Sequence, residues 1–145
     1  MRLQLDQIIA DPDEGLISFS FTLANLPPGT VATAPADPAY ALTQTTAPDG
    51  SIYLAGSIGN GDIDFGGGVL TCSNEFVIAG FAPDGTHRFS RVVGTGAVTD
   101  ISATNTSVAF TGYTNGTLDF GGGSMTSAGD HDVILAVLDP NGNQL

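Results

Sequence analysis

The 145-residue chain has no lysine and no tryptophan, and its positive charge is confined to Arg2, Arg88 and Arg91. Against these 3 basic residues stand 15 acidic ones, for a formal net charge of −12. So little positive charge cannot track a phosphate backbone, which argues against a nucleic-acid partner. The same deficit argues against docking on anionic lipid. Cys72 is the single cysteine, so neither an internal disulfide nor a multi-cysteine zinc site can form within the chain. Apolar runs are short. None approaches the roughly 18 residues of a membrane helix, so no membrane insertion is expected. The opening MRLQLDQIIADPDEG mixes apolar with polar residues and turns acidic by Asp11. It lacks the continuous apolar region of a signal peptide, so none is expected in this chain. The 41% hydrophobic content argues against disorder, and the length suits one domain of ordinary size.

What the chain has is repetition. YLAGSIGNGDIDFGGGVLT (53–71) matches AFTGYTNGTLDFGGGSMT (109–126), with Phe65 and Phe120 55 residues apart. Each DFGGG is followed by an apolar run that ends in a turn, EFVIAGFAPDG (75–85) and DVILAVLDPNG (132–142). A weaker copy of that unit, LDQIIADPDEG (5–15), opens the chain, and LISFSF (16–21) parallels THRFSR (86–91). A period this long points to a repeat architecture.

Helix signals are poor, because Gly, Thr, Ser, Asn and Asp dominate and no window sustains a 3.6-residue period. Strand signals are good. SIYLAGS, SVAFTGY and HRFSRVV alternate apolar with polar or small residues, as half-buried strands do. FVIAGF and VILAVL are continuous apolar runs, suited to strands covered on both faces. Pro48-Asp49-Gly50, Pro83-Asp84-Gly85 and Pro140-Asn141-Gly142 place proline where φ near −65° suits a turn and glycine where φ must be positive. These signals predict strands near 41–46, 51–57, 75–82 and 86–93 in one repeat. In the next they predict strands near 98–104, 107–114 and 132–138. Four short antiparallel strands per period of about 55 residues describe a blade of a β-propeller. A sandwich has no reason to repeat DFGGG, and a solenoid would show a shorter coil.

The expected fold class is therefore all-β, a partial array of two to three propeller blades. Residues 1–23 would be the third and fourth strands of a preceding blade and 24–40 a Pro-rich linker. Residues 41–94 would be a complete blade, and 95–145 a second blade without its last strand. Closed propellers use 4–8 blades, so this reading makes the chain a slice of a larger ring or a unit that self-associates through open blade edges.

TDISATNTSVAFTGYTNGTLDFGGGSMTSAGDHDVILAVLDPNGNQL (99–145) resembles the bacterial SBBP-type β-propeller repeat. The resemblance covers about Thr43 to Leu145 well and 1–23 weakly, and the Pro-rich 24–40 departs from the pattern. It implies a tandem blade array outside the cytoplasm, secreted or cell-surface, in a scaffolding or protein- or carbohydrate-binding role.

Candidate chemistry is sparse. Asp62, Asp64 and Asp119 are candidate calcium ligands, since hard cations take carboxylates and carbonyls. The competing reading makes DFGGG a tight turn: Asp accepts backbone N–H bonds, Phe anchors in the core, and glycines supply positive φ. Repetition of the motif favours the turn. Asp11, Asp13 and Glu14 cluster in DPDEG within one turn, which reads as a solvated loop rather than an acid/base pair. His87 and His131 are expected at the surface, and Cys72 stands where the other repeat has Ser127. No G-x-S-x-G elbow and no Lys-bearing phosphate loop is present. The expected function is a non-enzymatic module that displays loops 57–64, 113–118 and 127–132 on one rim, with no cofactor other than the calcium candidate. One alternative is a propeller hydrolase or lyase acting on polysaccharide, for which the inner strands offer only Asp100. Another is a calcium-stabilised or self-assembling structural repeat.

Overall fold

In the computed structural model the described residues are the strands Leu3–Ala10 and Ile17–Leu23 and residues 42–145. Their regular structure is all β, and every strand pairing is antiparallel. β1 (Leu3–Ala10) and β2 (Ile17–Leu23) form a hairpin with a register shift between Leu5 and Gln7. The Pro-rich 24–40 and the DPDEG carboxylates lie outside the described residues.

β3 (Leu42–Thr46), β4 (Ile52–Asp64), β5 (Val69–Phe81) and β6 (His87–Gly94) follow as a meander, each paired with the next. β7 (Ala97–Ala103) and β8 (Val108–Thr114) start a second meander. Two short strands, β9 (Thr117–Leu118) and β10 (Met125–Thr126), intervene before β11 (Asp132–Leu138) completes it. β9 joins β6 through Gly94 and Leu118, so one sheet runs β10-β9-β6-β5-β4-β3 and the other β11-β8-β7.

The predicted strands are all present, but two of the expected display loops are corrected: 113–118 holds the end of β8 and all of β9, whose Leu118 is buried against the first sheet, and 57–64 is also strand. β4 and β5 are each 13 residues long, so 57–64 is not a display loop but the outer half of a strand, paired through Asp64 and Val69. The cause is local: Ile58 and Ile63 are buried, so the strand has apolar contacts well past Ser57.

The repeat in sequence is a repeat in register. Ile52 pairs Phe81, Leu54 pairs Ala79 and Gly56 pairs Val77. In the second sheet Val108 pairs Leu138, Phe110 pairs Ala136 and Gly112 pairs Ile134. The hairpin turns repeat as well. Ala47 N–H donates to Ser51 O at 2.8 Å and Gly50 N–H to Ala47 O at 2.8 Å. The same pair of bonds closes Ala82–Thr86 and Asp139–Asn143. Gly50, Gly85 and Gly142 have φ of 90°, 86° and 85°, as a three-residue loop with a glycine bulge requires.

The long β4–β5 ribbon cannot be straight. Thirteen extended residues would hold its ends about 40 Å apart. Yet a Cβ added to Gly67, at the ribbon's tip, would overlap the ring of His87, which follows the far end of β5. The ribbon therefore folds back over its own sheet, which curls as a half-barrel. Its Ile58, Ile63, Phe65 and Cys72 share a cluster with Ile52, Val77, Ala79 and Phe81. The bend falls where pairing between Ile58–Glu75 and Asn60–Ser73 skips a step. Asn74, at that step, has φ 56°, a left-handed conformation that asparagine adopts more readily than most residues.

The opposite face of the first sheet packs on the second. Tyr53, Ala55, Phe76, Ile78, Phe89 and Val93 meet Ile101, Val108, Phe110, Ile134, Ala136 and Leu138, with Leu118 and Phe120 in the same cluster. This packing corrects the expectation for the continuous apolar strands. FVIAGF is buried throughout, because one face meets the folded ribbon and the other the second sheet. VILAVL is covered on one face only: Val133 is 90% and Leu135 69% exposed.

Candidate functional site

The two DFGGG tips are the most specific local constellation, and their geometry is the same twice. Asp64 Oδ1 accepts the N–H of Gly66 at 2.7 Å and of Gly68 at 3.1 Å. Asp119 Oδ1 accepts the N–H of Gly121 at 2.7 Å and of Gly123 at 3.2 Å. The first and third glycines of each motif have φ between 97° and 116°, which turns both amides toward the carboxylate. Phe65 and Phe120 point the other way and are buried. Each tip is thus a self-satisfied turn anchored by a ring.

The middle glycine of each tip docks on an equivalent partner, Gly67 on His87 and Gly122 on Gln144. His87 is accordingly half-buried rather than exposed, edge-on to Phe81 at 6.0 Å and within 3.0 Å of Ser90 Oγ through Nε2.

Asp62, the other calcium candidate, accepts the Thr71 hydroxyl at 2.8 Å across the ribbon. Among the described residues no three His, Cys, Asp or Glu side chains are arranged to hold a metal ion. Asp100 accepts the amide of Ile101 at 2.8 Å. His131 is exposed and stacks edge-on to Tyr113 at 5.2 Å, while Asp132 accepts the amide of Ala128 at 2.7 Å. Cys72 is buried in the ribbon's cluster, and burial raises its thiol pKa, with Glu75 and Asp62 adding to the effect. A protonated thiol in that setting is a small core side chain.

The carboxylates whose ionisation is most favoured sit in the hairpin turns. The backbone amides of Ser51 and Thr86 hold Asp49 and Asp84 below the ordinary value of 3.8. Hydrogen bonds from Asn143 do the same for Asp139.

Sequence reasoning missed two features. Arg91 donates from Nη1 to Phe120 O at 2.7 Å and from Nη2 to Gly142 O at 2.8 Å, tying β6 to the second repeat. The scarcity of arginine was its only signal. The second feature is a groove of about 190 Å³ beside the start of β11, lined by Thr114, Leu118, Met125, Asp132, Val133 and Ile134. Set beside known proteins, the chain matches no family model, no curated protein and no solved structure.

Proposed function

We propose that this chain is a stretch of β-propeller repeats of the SBBP type. It would serve as a non-enzymatic scaffold or a protein- or carbohydrate-binding surface in a secreted or cell-surface bacterial protein. The observation that carries the reading is the repeated ladder register, Ile52–Phe81 to Gly56–Val77 against Val108–Leu138 to Gly112–Ile134. Two up-and-down meanders of the same register stack with unlike faces together, which is how successive blades bury one another. β7 packs on β3 and β4, as the inner strands of neighbouring blades would.

The carboxylates support a non-catalytic module. Asp64 and Asp119 are engaged by their own turns, and Asp100 by the amide beside it. What varies between the repeats is loop structure. Residues 127–131 and the Asn115–Gly116 turn interrupt the second ribbon where the first runs on as strand.

Affinity electrophoresis in gels cast with soluble polysaccharides, run beside a reducing-end assay, tests the reading. Retardation without release of reducing ends is expected. Release that disappears in Asp100→Asn would overturn it in favour of a hydrolase or lyase.

A further inference from the structure

We propose that Asn115 is a site of spontaneous covalent modification, where loss of ammonia through a succinimide loosens the joint between the two sheets. The proposal rests on local geometry and is independent of the module reading.

An asparagine followed by glycine can close a ring on itself. The glycine nitrogen attacks the side-chain carbonyl carbon and gives its proton to solvent base. A C–N bond forms there as the side-chain nitrogen leaves as ammonia. Water then opens the five-membered imide at one of its two carbonyls. One opening yields aspartate. The other yields isoaspartate, whose backbone runs through the former side chain and is one methylene longer. The balance is an amide and a water in, a carboxylic acid and an ammonia out. Glycine permits the closure most freely, because no Cβ crowds the attacking nitrogen and its backbone is mobile. A strand ladder or a closed turn opposes it, since the hydrogen bonds must open before the peptide can rotate.

The sequence holds three such pairs, Asn60-Gly61, Asn115-Gly116 and Asn141-Gly142, and the structure separates them. Asn60 and Asn115 occupy the same place in the repeat, each five residues before the phenylalanine of DFGGG. Asn60 nevertheless lies within β4, paired to Ser73, with Gly61 paired to Cys72, and its Oδ1 accepts the Ser73 hydroxyl at 3.3 Å. Asn141 lies in a closed turn. Its N–H donates to Asp139 Oδ1 at 2.8 Å and that of Gly142 to Asp139 O at 3.0 Å. Gly142 is also buried against the ring of Phe89, where an added Cβ would overlap.

Asn115 has neither protection. It is exposed and lies in the bend between Thr114, which ends β8, and Thr117, which starts β9. The Gly116 N–H donates not to a ladder carbonyl but to a hydroxyl, Thr114 Oγ1 at 3.1 Å. Stacking of repeats does not cover this position: Asn60, its equivalent, is exposed although the second sheet packs on the first.

The consequence falls on the joint. β9 begins at the residue after Gly116, and β9 is what enters the first sheet. Thr95 N–H donates to Thr117 O at 3.3 Å and Asp119 N–H to Val93 O at 2.8 Å, while Gly116 O accepts the Ser127 N–H at 2.9 Å. An extra methylene just before Gly116 shifts these partners, and the new carboxylate adds to a net charge of −12.

Incubation of the folded 145-residue chain in mildly alkaline buffer, followed by peptide mapping by mass spectrometry, tests this. The peptide bearing Asn115 should gain one mass unit and accept a methyl group from an isoaspartyl methyltransferase. Asn60 and Asn141 should stay unconverted in the folded chain, whereas in denaturant all three should convert. Asn115→Gln, whose closure would need a six-membered imide, should abolish the folded-state product. Converted wild type should lose amide protection at Thr95 and Asp119, and Asn115→Gln kept under the same conditions should retain it. Four results would each overturn the proposal: a folded chain that does not convert, Asn60 or Asn141 converting as fast as Asn115, product persisting in Asn115→Gln, or unchanged protection in converted wild type. None of them bears on the polysaccharide test of the module reading.

Discussion

Asp64 and Asp119 organise their turns by the same means: one carboxylate oxygen gathers two glycine amides that would otherwise face each other unpaired. Removing it leaves those two backbone donors to water. Asp119→Ala should cost about 1–2 kcal/mol, the worth of two modest hydrogen bonds to a charged acceptor, read as a lower denaturation midpoint. If calcium held these carboxylates instead, a chelator would lower the wild-type melting temperature as well, and we expect no such change. Asn74 controls a different step, the bend of the β4–β5 ribbon. At φ 56° a β-branched side chain is strained, so Asn74→Val should destabilise by about 1–2 kcal/mol while Asn74→Gly is tolerated. A Val variant as stable as wild type would show that the bend does not depend on this residue.

At the scale of elements, the three Pro-x-Gly hairpin turns couple the fold to acid. Asp49, Asp84 and Asp139 all have depressed carboxyl pKa values in the folded chain, with hydrogen bonds from Ser51, Thr86 and Asn143 as the respective leading causes. A depressed value means that the unfolded chain takes up the proton first. The stabilisation is therefore complete above the ordinary 3.8 and is lost as pH falls through the lower folded values. Melting temperature should hold from about pH 7 to 5 and decline below about pH 4. The decline should be shallower in the Asp49→Asn, Asp84→Asn double variant. An unchanged acid limb in that variant would remove the turns from the explanation. These turns and the DFGGG tips were legible in the sequence because their bonds span two to four residues, so residue type and spacing determine them. The folding back of the ribbon was not legible. It depends on one asparagine in a left-handed conformation and on contact between Gly67 and His87, 20 positions apart, for which neither residue carries a signal. The exposed face of β11 was hidden for a related reason: VILAVL is as continuously apolar as FVIAGF, and only the arrangement of sheets distinguishes a strand covered twice from one covered once.

At the scale of the molecule, the two repeats are held together by a ring from one wedged between both sheets. Phe120 is fully buried, 5.8 Å from Phe76 of the first sheet and 6.3 Å from Phe110 of the second. Its carbonyl takes a guanidinium bond from Arg91, and β9, just before it in the chain, joins the first sheet at Gly94. Phe65 is its counterpart by sequence but packs within the first repeat alone. The two phenylalanines therefore make the same local turn and serve different joints. Truncating either should cost about 3–5 kcal/mol, a large share of the stability of a domain this size. The pattern of loss should separate them. In Phe120→Ala, amide protection should fall at Thr95 and Asp119, whose N–H groups bond across β6 and β9 to Thr117 O and Val93 O. In Phe65→Ala those amides should keep their protection while the ribbon amides of Gly61 to Asp64 lose theirs. Hydrogen exchange followed residue by residue decides the matter: equal loss at both joints in both variants would mean that the repeats unfold as one unit and that Phe120 does not act as a separate fastening between them.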